Sequence, residues 1–172
     1  MIYDALILSA HHNRNAFFCG NSMLDNYLKK QVNQDIKRKL ATCFVLTAKS
    51  NPGEILGFYT LSNNSIPLES IPESIRKKLP QSYLKIPTTL LGRLAVDAKQ
   101  HGKGVGNLLL IDALKRSYEI SKILGSFAVV VNPIDVEAEN FYQKYGFAKL
   151  PDSGKMFLTM KTIEGVFGEL IK

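Results

Sequence analysis

Two spacings of apolar residues alternate along the 172-residue chain. The run YDALILS at 3–9 reads as a strand. From 21 to 40, NSMLDNYLKKQVNQDIKRKL repeats its apolar residues at helical spacing. Met23, Leu24, Tyr27, Leu28 and Val32 share one face, with Lys29, Lys30 and Gln34 elsewhere. TCFVLTA (42–48) and EILGFYTLSNNSI (54–66) predict strands joined by the hairpin-like turn KSNPG. LESIPESIRKKLP (68–80) predicts one or two short helices closed by Pro80. TTLLGRLAV (88–96) predicts a strand, followed by a glycine-rich loop and the helix NLLLIDALKRSYEIS (107–121). SFAVVVN (126–132) is apolar without alternation, as a strand buried on both faces is. DVEAENFYQKY (135–145) predicts a helix with Asp135 as N-cap and Gly146 at its C-terminal cap. KMFLTMKTI (155–163) predicts a late strand. This order indicates an α/β (α+β) domain around one mixed sheet, and neither a repeat nor a linker divides residues 1–172.

Composition narrows the class. With 45% hydrophobic and 22% charged residues, the chain has the balance of a soluble globular domain. No stretch approaches the roughly 18 consecutive apolar residues of a membrane helix. The N-terminus lacks a basic leading region, so the cytoplasm is the expected compartment, without membrane association. Cys19 and Cys43 make neither a disulfide framework nor, with the three histidines, a metal-ligand spacing, so no metal is expected. Lys+Arg 22 against Asp+Glu 15 gives +7, which suits a phosphate-rich cofactor, nucleic acid or an acidic protein as partner, or simply a solvated basic surface.

The loop HGKGVG, with glycines at 102, 104 and 106, follows a strand and opens a helix. That arrangement aims backbone N–H groups and the positive end of the helix dipole at a phosphate. Glycine lets the chain approach a ligand closely and permits positive φ. A Walker loop is excluded, because Asn107 and Leu108 follow Gly106 where Lys-Ser/Thr would stand. A dinucleotide fingerprint is excluded because Leu109 occupies the place of its third glycine. A tight turn without a ligand remains the alternative.

HGKGVG followed about thirty residues later by AENFYQKYGF resembles the acetyl-CoA signature of the GNAT acetyltransferases. FFCGNSMLDNYLKKQ, GFYTLS, LGRLAVDAKQHGKGVG and FYQKYGF together resemble the GNAT toxins of bacterial type II toxin–antitoxin modules. The resemblance implies the GNAT fold, a mixed central sheet flanked by helices on both faces. It implies acetyl-CoA as donor, with the α-amino group of an aminoacyl-tRNA as acceptor, blocking translation. It further implies a ribbon-helix-helix antitoxin and a homodimer. In the family pattern the amides of the loop, here Gly102, Lys103, Gly104, Val105 and Gly106, bind the CoA pyrophosphate. His101 departs from the pattern's Gln or Arg.

The chemistry is consistent with these residues. A free α-amino group has a pKa of about 7.7–8.0, and an ester linkage lowers it, so a strong general base is not demanded. The leaving thiolate needs a proton, which a phenol can give. By resemblance that phenol is Tyr142, four residues before Gly146, although it also lies at the edge of the apolar stripe Ala138, Phe141, Tyr145. Tyr145 is assigned to packing. The resemblance makes the backbone of Ala95 and Val96 the carrier of the acetyl and pantetheine groups. It makes Asn132 a hydrogen-bonding partner of the CoA arm, with a strand-end turn role before Pro133 as the alternative. Arg93, inside an apolar strand, must be paired or face a cleft. The resemblance favours a substrate contact; a structural salt bridge is the alternative.

Candidate RNA-contacting cations are Lys29 on the first helix, Lys37 and Arg38 in the KRK run, and Arg76, Lys77 and Lys78. Each cluster alone also fits a solvated face. Two other functions stay open: a GNAT acetyltransferase of a small-molecule or protein amine, and a non-catalytic acetyl-CoA-binding module.

Overall fold

The computed structural model describes residues 2–168. Its seven strands are β1 Tyr3–Ile7, β2 Thr42–Ala48, β3 Gly57–Pro67, β4 Lys85–Val96, β5 Ala128–Val131, β6 Ala148–Lys149 and β7 Met156–Thr159. They form one mixed sheet in the order β1-β2-β3-β4-β5-β7-β6. The helices are α1 Ser22–Asn26, α2 Val32–Lys37, α3 Glu73–Arg76, α4 Val105–Ser121, α5 Val136–Lys144 and α6 Met160–Phe167. The expected mixed sheet with helices is thus present. The connection from β4 to its sheet neighbour β5 runs through α4, a helical crossover of the kind parallel neighbours need. The described residues divide into two compact units, one of residues 2–62 and 91–113, the other of residues 63–90 and 114–168.

In the first unit β2 is central. It pairs antiparallel with β1, Leu6 opposite Val45, and with β3, Val45 opposite Phe58. Alternation sends Cys43 and Val45 to one face, into a core with Leu8, Phe17, Tyr27, Leu28, Val32, Ile55, Phe58 and Ala95. Phe44 goes to the other face and stacks on Tyr59, whose hydroxyl donates to Asp112 of α4. Helices therefore cover both faces of β2, which is why Cys43 to Leu46 are buried without alternation.

The segment between β1 and β2 departs from a simple helix. Its middle, Tyr27–Gln31, is a single π turn between α1 and α2, and α2 ends at Lys37 rather than Leu40. Leu28, Val32 and Tyr27 are buried as their spacing predicts, but Met23 is 71% exposed, because it lies on the first turn, outside the face that meets the sheet.

In the second unit Ala128 and Val130 of β5 pack with Ile66, Leu68, Ile71, Ile86, Leu150 and Phe157. β7 pairs antiparallel with β5 and with β6. The expected strand 155–163 stops at Thr159. The Thr159 side chain caps Thr162 N, and α6 follows, burying Met160, Ile163 and Phe167 at helical spacing. The two-residue strand β6 is too short for a hydrophobic period and was not expected.

Candidate active site

The end of β4 and the loop after it are held by hydrogen bonds, some local and some to segments distant in sequence. Asp97, buried, accepts from Lys99 N at 2.9 Å and from Phe18 N at 3.1 Å. Its amide donates to Leu56 O, and Ala98 N donates to Phe18 O. The segment 17–19 is thereby tied to the start of the loop. His101, the residue that replaces Gln or Arg, turns back, with Nε2 2.9 Å from Val96 O. The side chain at this position therefore clips the loop to β4.

Gly102 and Gly104 have φ of +77° and +80°, and a Cβ on either would meet only open space. Positive φ and an open approach are what a backbone cradle requires. Gly106 differs from expectation. It lies in the first turn of α4 and shows no positive φ, because the helix has already begun. The amides of Gly102, Gly104, Val105 and Gly106 have no hydrogen-bond acceptor among the described residues, as expected of a loop and first helical turn. With the α4 dipole behind them, these groups fit a pyrophosphate. Lys103 departs from expectation: its side chain is exposed, but its amide donates to Gln100 O at 3.2 Å in the turn that precedes α4, so it is not among the free ones.

β4 carries Arg93, Ala95 and Val96. Ala95 is buried in the first unit's core. Beside it, Gly57 of β3 leaves no room for a side chain: a Cβ there would stand 2.9 Å from Ala95 O and 2.6 Å from Leu109 Cδ1. Arg93 is half-buried, with its guanidinium carbon 3.6 Å from the centroid of the Tyr27 ring. It makes no ion pair among the described residues, so the salt-bridge alternative is not what this arginine does here.

In the second unit α5 starts at Asp135, whose side chain accepts from Ala138 N at 2.7 Å. It ends before Gly146, at φ +92°. Both ends are as the sequence predicts. Tyr142 is not at the edge of the apolar stripe but is its most buried member, 7% exposed, against Phe147 and Phe141 at ring-centroid distances of 5.3 Å. Ala138, Phe141 and Tyr145 are only partly buried. Burial holds the Tyr142 phenol well above its ordinary pKa. Its hydroxyl has no hydrogen-bond partner among the described residues. Asn132, at the end of β5, is exposed, and its side chain bonds to no described residue.

The basic side chains differ among themselves. Lys29 is half-buried, in the π turn, whereas Lys37 and Arg38 are exposed at the end of α2. Arg76 is partly spent on its own unit, donating from Nη1 to Glu69 O at 3.0 Å; Lys77 and Lys78 are exposed. Sequence reasoning missed Asp97, Gly57 and the role of Tyr27. An acidic residue directly after a strand was the available signal for Asp97; nothing local marks the other two.

The uncommitted amides that open α4 fit a phosphate-bearing ligand, and comparison with known proteins narrows the class. Residues 39–149 match the family model for the acetyltransferase (GNAT) domain. A tRNA-acetylating toxin of Mycobacterium tuberculosis (strain ATCC 25618 / H37Rv) is 32% identical over 155 residues, 90% of each chain. The structure of AtaT complexed with acetyl-methionyl-tRNAfMet superposes with a TM-score of 0.88 at 28% identity, covering 96% of this chain and 99% of that one. The structure of AtaTR bound with acetyl-CoA superposes with a TM-score of 0.83 at 28% identity, covering 96% and 98%. This chain belongs to the GNAT acetyltransferase family, and its relatives include toxins that acetylate tRNA.

Proposed function

We propose that the chain is a single-domain, acetyl-CoA-dependent toxin that acetylates the α-amino group of an aminoacyl-tRNA and so blocks translation. The open cradle at Gly102 and Gly104, with its uncommitted amides ahead of α4, carries the donor. The acceptor rests on a relative that matches 90% of the chain and acetylates tRNA. In this reading the protein acts in the cytoplasm as a homodimer, and a ribbon-helix-helix antitoxin neutralises it. No helix among the described residues is long and apolar enough to cross a membrane.

Acetyl-CoA supplies a thioester whose acetyl group passes to the amine while its thiol leaves. The amides of Gly102, Gly104, Val105 and Gly106 hold the pyrophosphate, with the Lys103 side chain beside them, and Asn132 bonds the arm. The backbone of Ala95 and Val96 holds and polarises the acetyl group, while His101 keeps the Val96 carbonyl engaged. The ester-linked amine is substantially neutral at physiological pH and attacks without a strong base. Tyr142 protonates the departing sulfur, and the proton that the acylated nitrogen sheds restores the phenol. Its raised pKa keeps the proton on oxygen throughout the physiological range. A thiolate held away from water is raised in the same direction from about 8.5, which narrows the gap the proton must cross. Arg93, Lys29, Lys37, Arg38, Arg76, Lys77 and Lys78 contact the RNA.

Tyr142→Phe is expected to lower turnover by about 10²- to 10⁴-fold. Acetyl-CoA affinity should be unchanged, because the ring still fills its place. In cells, the wild type should arrest growth and leave N-acetylated aminoacyl-adenosine at tRNA ends, and the variant should do neither. Normal growth with unmodified tRNA, from soluble protein that binds acetyl-CoA, would sink the tRNA reading in favour of a small-molecule or protein amine. Undiminished turnover in Tyr142→Phe would remove the tyrosine from the chemistry.

A further inference from the structure

Two arginines reach the π turn at Tyr27–Gln31, and they are used differently. Arg14 donates from Nη1 to Leu28 O at 3.3 Å, satisfying a carbonyl that the widened turn frees. With its amide oxygen turned inward, Asn33 accepts from Arg14 Nη1 and Nη2 at 3.2 and 3.0 Å. Arg14 is a structural brace. Arg93 instead rests on the face of the Tyr27 ring, and none of its N–H donors has a partner among the described residues. A half-buried cation with no counter-charge is costly unless an anion completes it. The ring beneath is itself fixed: Tyr27 is buried against Phe58, and its hydroxyl donates to Asp35 Oδ2 at 2.9 Å. Asp35 is thus committed to the phenol. Lys29 and Lys30 lie in the same turn, so the surroundings favour a phosphate over a cationic or apolar group.

We infer that Tyr27 is a positioning residue for Arg93: the π turn fixes the ring beneath the guanidinium, so that Arg93 presents its N–H edge to a phosphate near the acceptor end of RNA. This rests on the reading of aminoacyl-tRNA as substrate. Stacking freezes a planar cation in one orientation while leaving its in-plane donors available for a bidentate contact.

The test uses an uncharged RNA hairpin ending in CCA, labelled at its 5′ end, and fluorescence anisotropy with the full chain. Arg93→Gln and Tyr27→Leu are each expected to weaken binding by about 5- to 10-fold. The double variant should be no weaker than Arg93→Gln alone, because Tyr27 acts through Arg93. Tyr27→Phe, which keeps the ring, should bind within about 2-fold of wild type. Acetyl-CoA affinity should not move in any variant. Unchanged RNA affinity in Arg93→Gln, or additive losses in the double variant, would overturn the inference. Should Tyr27→Leu not fold, Tyr27→Met fills similar core volume without a ring face and takes its place in the cycle. The probe needs no turnover, so a wild type that binds this RNA through Arg93 yet acetylates no aminoacyl-tRNA would refute the substrate reading separately.

Discussion

Gly57 and His12 show how much a single residue can hold. Gly57 lets β3 approach the Ala95 carbonyl and the Leu109 side chain of α4 at a distance no Cβ tolerates. Gly57→Ala should therefore cost about 1–3 kcal/mol in denaturant unfolding and weaken acetyl-CoA binding, because the backbone that must shift is that of β4. A cost near zero would mean that Leu109 alone gives way. His12 is buried; its Nδ1 accepts from Ser9 N at 3.0 Å, and its Nε2 has no partner among the described residues. Burial, then the neighbouring His11, lowers its pKa below the ordinary 6.5. Below that value the unfolded chain takes up a proton the folded chain refuses. The stability His12 contributes is complete above about pH 6.5 and is lost as pH falls through the lower folded value. Urea melts should show the wild type weakening from pH 7 toward pH 5 and His12→Leu weakening less. Parallel slopes would refute this. Neither property is legible in the chain, since a glycine in GFYTLS and a histidine in AHHN have unremarkable local surroundings.

The elements carry their own strain. Helix α2 ends in a Schellman arrangement: Leu40 N bonds Asp35 O at 2.8 Å and Lys39 N bonds Ile36 O at 3.1 Å. The residue at the turning position is Lys39, at φ +61°, where glycine is the usual occupant. Lys39→Gly should raise stability by about 1 kcal/mol in thermal or urea unfolding by removing left-handed strain. A loss of stability would show that the lysine stem packs usefully. Helical spacing announced this segment, yet neither the π turn nor the early stop was legible: the π turn sits where Tyr27 and Leu28 enter the core, and the stop is made at a lysine instead of the usual glycine. The error at 155–163 has a similar origin. Alternation in KMFLT is a strand signal, but the hydroxyl of Thr159 starts α6 at once, and the spacing of Met160, Ile163 and Phe167 is helical.

For the molecule as a whole, charge is the property that matters most. A net +7 on 172 residues favours any polyanion, so RNA affinity should fall steeply with salt. Removing Lys37 and Arg38 together should lower the slope of log affinity against log salt by about 1.4 to 2, leaving acetyl-CoA binding untouched. An unchanged slope would mark that cluster as solvated surface. The two compact units interleave along the chain, and the family match at 39–149 draws on both.

What the sequence determined by itself was local. The strand and helix periods, the glycine spacing at 102 and 104, the Asp135 cap and the Gly146 stop each depend on residues within one or two turns. The GNAT resemblance was legible for the same reason, being carried by short runs. Tertiary structure alone decided which tyrosine of FYQKY is buried, that Arg93 stacks on Tyr27 instead of pairing with a carboxylate, that His101 turns back to Val96, and that Met23 is left in solvent. Those outcomes are set by which distant segments meet. Burial and charge pairing are properties of that meeting, and no local spacing encodes them.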